Sequence, residues 1–153
     1  MYFVDRKKIN LTLTYMESLL RLLEDKHEWT NHEIDKLALE RITINIIESL
    51  IDIGNSMIDG FIMRDPGSYD DIIDILTDEN VISKEMAAPL KSVIQLRKML
   101  VREFIRVDHE VLSDIILTHL NCLKKFPERV EYYLTNELGP VSAFLPEVKN
   151  ENI

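Results

Sequence analysis

The sequence predicts an all-α fold, an antiparallel bundle of about five helices, three of them long. Three observations predict it. Apolar residues recur along most of the chain at helical spacing rather than in strand-like alternation. Only 4 Gly and 5 Pro occur in 153 residues, clustered at a few breakpoints, which disfavours a turn-rich β fold. Thr30, Ser68, Ser83 and Asp108 each stand just ahead of a periodic segment, where a helix N-cap is wanted.

The first helix is expected from about Asp5 to Lys26. Ile9, Leu13, Met16, Leu20 and Leu23 give it one buried stripe. His27-Glu28-Trp29 breaks it, with Trp29 placed to pack as a staple against the next helix. Thr30 and Glu33 have the capping-box form, so the second helix starts there and runs to about Ile62. One apolar row holds Leu39, Ile42, Ile46, Leu50, Ile53 and Met57; another holds Leu37, Ile44, Ile47, Ile51 and Ile58. A helix apolar on two sides is central. Its remaining face is polar: Arg41, Asn45, Glu48, Asp52, Asn55 and Asp59, interrupted by Gly54, which permits close backbone approach.

Arg64 to Ser68 is a turn, and Ser68 with Asp71 starts a short helix from Tyr69 to about Thr77. Ser83 opens a helix to about Arg106, with a kink or restart near Ala88 ahead of Pro89. Asp108 caps a helix to about Lys125, facing the core with Leu112, Ile115, Ile116, Leu120 and Leu123. Phe126-Pro127 marks a kink or a new start, and the chain is irregular from Gly139-Pro140. Residues 1–138 thus read as one helical-bundle domain and 139–153 as an irregular C-terminal tail.

Charge and composition narrow the function classes. The net charge of -9 argues against broad, sequence-blind nucleic-acid affinity, though it leaves room for a local basic patch. The single cysteine, Cys122, reads as a small buried hydrophobe in a reducing compartment. No apolar run is long enough for a membrane span, and the N-terminus lacks a signal peptide, so a cytoplasmic protein without membrane association is expected. The four histidines have no ligand spacing, and there is neither a Gly-rich phosphate loop nor a Gly-flanked nucleophilic serine. No metal and no cofactor is expected.

The most informative stretch is Arg97 to Phe104. Leu90, Val93, Arg97, Leu100 and Phe104 are spaced as a single buried seam, which places an arginine in an apolar row. Such a guanidinium needs a carboxylate, a carbonyl, a phosphate or another subunit. A paired arginine with Glu48 or Asp52, and a phosphate site, both remain open. Glu48 and Asp52 suit a cation or general-base role only if a pocket exists beside them. Lys84, Lys91, Lys98, Arg102 and Arg106 form a basic strip that reads as a solvated face or as a phosphate-facing surface. Arg97 and Arg102 stand about 140° apart on one helix and are not expected to share a narrow face.

Taken together, Ser68-Tyr69, Ile72 to Leu76, Asn80-Val81-Ile82-Ser83, the arginine helix and Val107-Asp108 resemble the HepT ribonuclease-toxin family of the HEPN superfamily. The runs Asp59 to Tyr69 and Glu137 to Ser142 are similar to a narrower bacterial branch of that family. The family motif is Arg, four residues, His, one residue, Tyr. Here Arg97 fills the first place, Arg102 the histidine place and Phe104 the tyrosine place. The resemblance implies metal-free RNA cleavage, a homodimer with two motifs at one cleft, and an MntA-like nucleotidyltransferase antitoxin that attaches AMP to the motif tyrosine.

The two replacements bear directly on that chemistry. Histidine can exchange a proton near neutral pH, with an ordinary pKa of roughly 6.5. Arginine, above about 12, holds phosphate but does not serve as a base. Phe104 has no hydroxyl to modify. The expectation is a HepT-like homodimer with weak or lost nuclease activity, in which Arg97 and Arg102 bind the scissile phosphate. The alternative is a non-catalytic helical interaction module for a nucleotidyltransferase-like or other protein partner.

Overall fold

A computed structural model describes residues 2–139, and among them lie six helices and no strand. Helix α1 (Arg6–Asp25) is capped by the Asp5 side chain, which accepts from the Lys8 N–H at 3.0 Å. It buries all five residues of its expected stripe, and Leu19 with them. Trp29 is buried in the break, its indole N–H donating to the Lys26 carbonyl at 2.7 Å.

Helix α2 (Glu33–Gly60) is the central element and packs against α1, α3, α4 and α5. The expected capping box does not form: His32 is the N-cap, and Glu33 is the first helical residue. Glu33 and Asp35 instead place negative charge on the exposed N–H groups of the first turn. The first apolar row is buried throughout, whereas Leu37 of the second row is exposed. The helix stops short of Ile62 because Ile62 adopts a left-handed backbone, φ 57°. Met63 N–H then reaches the Ile58 carbonyl at 2.9 Å and closes the end. Gly54 lies under α3, where a Cβ would stand 2.4 Å from Ile72 Cγ2, so the expected close approach is real.

Helix α3 (Tyr69–Asp78) begins at Ser68, whose hydroxyl accepts from the Asp71 N–H at 3.1 Å. Helix α4 (Lys84–Val101) carries Pro89 inside it and ends five residues before Arg106. The N–H groups of Arg102 and Glu103 both donate to the Lys98 carbonyl, which loosens the last turn and releases the chain. Residues 102–106 are exposed, and Phe104, the last member of the expected seam, stands 64% exposed beyond the helix.

Helices α5 (His109–Thr118) and α6 (Leu120–Leu138) correct the expected last helix. Asp108 caps α5 through the Val111 N–H, as its position suggested. The interruption falls at His119, not at Phe126-Pro127; Pro127 is buried inside α6. Helical bonding resumes when the Leu123 N–H donates to the His119 carbonyl. The count therefore becomes six rather than about five. Of the expected tail only Gly139 is within the described residues. Among the described residues, no helix is long and apolar enough to cross a membrane.

Candidate functional site

Arg97 sits near the C-terminal end of α4, facing the polar stripe of α2. Its Nε donates to Glu48 Oε1 at 2.8 Å, and its side chain retains 30% exposure. On its other side the guanidinium carbon lies 4.8 Å from the centre of the Tyr69 ring. The Glu48 hydrogen bond holds the guanidinium still more firmly protonated. The paired-arginine expectation is met by Glu48. Asp52 faces α1 instead, 3.6 Å from Lys8 Nζ and 3.4 Å from the Thr12 hydroxyl. A carboxylate pair at one cleft is therefore not assembled.

Beside the Arg97–Tyr69 stack lies an open groove of about 460 Å³, lined by Ser68, Tyr69, Asp70, Ile94, Gln95, Arg97, Lys98 and Arg102. Arg97 and Arg102 share it, against the expectation from ideal helix geometry. Arg102 is the C-cap of α4, where the loosened last turn and a long side chain bring it to the same rim. The rest of the basic strip divides. Lys91 is engaged by Asp74 Oδ1 at 2.6 Å, which favours its charged form. Lys98 is exposed on the groove, and Arg106 is exposed in the turn beyond it.

The chain folds this way for local reasons. Asp71 accepts both terminal nitrogens of Arg64 at 2.8 Å each and the Gly67 N–H at 2.8 Å. That clamp fixes the turn ahead of α3, and the Ser68 cap fixes the first helical residue, Tyr69. The Gly54 contact then presses α3 onto α2. The Tyr69 ring arrives beside Arg97 as a consequence of all three.

Two groups escaped sequence reasoning. Tyr69 was visible only as part of the Ser68-Tyr69 pair among the stretches that carry the family resemblance, with no periodic signal linking it to α4. His109 meets Glu40, Nε2 to Oε2 at 2.7 Å, with both side chains mostly covered. Their separation of 69 residues leaves no local pattern to read. Cys122 is half-buried, and burial pushes its thiol up, away from the reactive thiolate. Among the described residues, no three His, Cys, Asp or Glu side chains gather to hold a metal ion.

Comparison with known proteins places this geometry in context. The model of a family described as ribonuclease HepT-like matches residues 12–130. A Bacillus subtilis (strain 168) protein named "Putative RNase YutE" is 51% identical over 144 residues, covering 94% of this chain and 99% of that one. The solved structure of YutE, described as a cytosolic protein of unknown function, superimposes with a TM-score of 0.90 at 51% identity over 94% of this chain and 100% of that chain. A tri-AMPylated Shewanella oneidensis HEPN toxin, solved in complex with an MNT antitoxin, shares the fold. Its TM-score is 0.71 at 16% identity, covering 81% of this chain and 96% of that chain.

Proposed function

The chain belongs to the ribonuclease HepT-like family, and from that membership we propose a homodimeric, RNA-binding relative of the metal-independent ribonuclease toxins, with weak or lost cleavage. The observation that carries the reading is the Arg97 guanidinium. It is held by Glu48 and Tyr69 at a groove that Lys98 and Arg102 also line and that no imidazole lines. Three cations can hold phosphodiester oxygens and stabilise developing charge. None of them can take a proton from a ribose hydroxyl at neutral pH.

In this reading the partner is a nucleotidyltransferase-type antitoxin and the setting is the cytoplasm. Support comes from the toxins of this fold described in complex with such antitoxins, and from the relative described as cytosolic. A second reading, a non-catalytic interaction module, is favoured by one observation. Val101, Phe104 and Ile105 are 44%, 64% and 86% exposed at one turn, an apolar tip suited to a protein surface.

Total RNA incubated with the purified protein and with Arg97→Ala tests the first reading, following retention of RNA and its cleavage together. Expected is retention by the parent protein, at least tenfold weaker retention by the variant, and little turnover in either. Rapid cleavage that survives Arg97→Ala removes this groove from the mechanism.

A further inference from the structure

We propose that the groove reads a base as well as a phosphate: the Asp70–Gln95 pair selects an unpaired guanine seated on the Tyr69–Arg97 stack. The inference rests on the RNA-binding reading above and adds the base that the groove takes.

The groove has two kinds of wall. Arg97, Lys98 and Arg102 supply the cations. Tyr69 and Asp70, at the start of α3, and Gln95 of α4 supply an aromatic ring, a carboxylate and an amide. A carboxylate repels a phosphodiester, so this wall suits the other half of a nucleotide. Tyr69 keeps 44% exposure although the Arg97 guanidinium packs on its ring at 4.8 Å. Aromatic rings and guanidinium planes both stack on the splayed-out bases of single-stranded RNA.

The start of α3 does not need the Asp70 carboxylate for its own sake. The clamp on the preceding turn is made by Asp71, through Arg64 and the Gly67 N–H. Asp70 meets α4 instead: Gln95 Nε2 donates to Asp70 Oδ2 at 3.2 Å. That bond orients the carboxylate and fixes which end of the amide faces it. Among the described residues, Asp70 Oδ1 accepts no hydrogen bond. The pair therefore offers the second N–H of Gln95 beside two carboxylate oxygens, a donor and two acceptors. The pairing edge of guanine is the complement: O6 accepts, and N1–H and the 2-amino group donate. Adenine and cytosine each offer one amino donor beside a ring nitrogen lone pair. Uracil flanks its single N–H with two carbonyls. Each of these three turns a lone pair toward the carboxylate, which leaves an acceptor facing an acceptor.

The test titrates the purified protein with short oligouridines that carry one central guanosine, inosine or adenosine, followed by fluorescence anisotropy. Inosine keeps O6 and N1–H but lacks the 2-amino group, so it isolates one of the two donors. Expected is binding of the guanosine oligomer about tenfold tighter than the adenosine one, with inosine between them. Asp70→Asn, which replaces an acceptor by a donor, is expected to lose the guanosine advantage. Tyr69→Leu is expected to weaken all three oligomers, and unchanged binding by that variant overturns the stacking seat. Equal affinity of the parent protein for guanosine and adenosine, or a guanosine advantage that Asp70→Asn keeps, overturns the assignment of the pair and leaves the RNA reading standing. Binding of none of the oligomers overturns both.

Discussion

At the residue scale the groove depends on small, specific contacts. Arg97 is legible in the sequence as a charge out of place in an apolar row. Its partner was narrowed to Glu48 or Asp52 by their position on the α2 stripe. Choosing between those two needed the crossing geometry of α2 and α4, which no local pattern carries. Gly54 was legible as an anomaly in the same stripe, and the structure supplies the reason. Gly54→Ala would force a Cβ to within 2.4 Å of Ile72 Cγ2, on a β-branched side chain with little rotamer freedom. We expect a loss of about 1–3 kcal/mol in a urea unfolding titration.

Asp71 offers a pH prediction. Hydrogen bonds from Arg64 and then from the Gly67 N–H lower its carboxyl to about 2. A carboxylate depressed in the folded state stabilises that state above its unfolded pKa. The contribution is therefore present above roughly pH 4 and lost as pH falls through about 2. Protonation should release the turn ahead of α3 and with it the Tyr69 ring. Chemical shifts of the Gly67 amide across an acid titration check this. A Gly67 transition centred in the ordinary carboxylate range would contradict it.

At the element scale the sequence located helices well and their ends less well. Helices α1 and α3 lie within a residue or two of expectation, because Asp5 and Ser68 cap them through their own side chains. The end of α4 was overrun because 3,4 spacing continues through Leu100 to Phe104 after the backbone has left the helix. A hydrophobic residue in a turn keeps the period of a helix without having its burial. The interruption at His119 was likewise hidden, since neither Gly nor Pro marks it. In the proposed homodimer, the exposed tip left by the early end of α4 would meet a second copy. We expect light scattering to show a dimer at micromolar concentration, and Phe104→Asp to shift it to monomer while leaving the helical circular dichroism intact. A dimer unaffected by that change places the contact elsewhere.

At the scale of the whole molecule, a net charge of -9 and a groove proposed to bind phosphate coexist because three cations are gathered at one place. The bulk charge was legible, and it argues against broad nucleic-acid affinity. The local groove was not, because Arg97, Lys98 and Arg102 meet Tyr69 only after α3 folds back on α4. Binding through three cations makes a quantitative prediction for single-stranded RNA. The slope of log affinity against log salt should be about −2, at about −0.7 for each phosphate neutralised. A slope near zero would mean that the groove does not contact the backbone, and one near −6 would mean a far wider surface.

In the proposed reading the groove holds phosphate but has no imidazole to carry the proton, and supplying one is the most direct trial of that reading. Arg102 is exposed at the helix end, so Arg102→His is tolerated by the fold and adds the missing imidazole at the groove rim. Cleavage of a labelled RNA by the parent protein, by Arg102→His and by Arg102→His combined with Arg97→Ala should be measured side by side. Expected is slow or absent cleavage by the parent, a rise of about 100-fold or more in the single variant, and loss of that gain in the double variant. Fast cleavage by the parent that falls in Arg102→His would contradict it, showing that Arg102 already takes part in an efficient reaction.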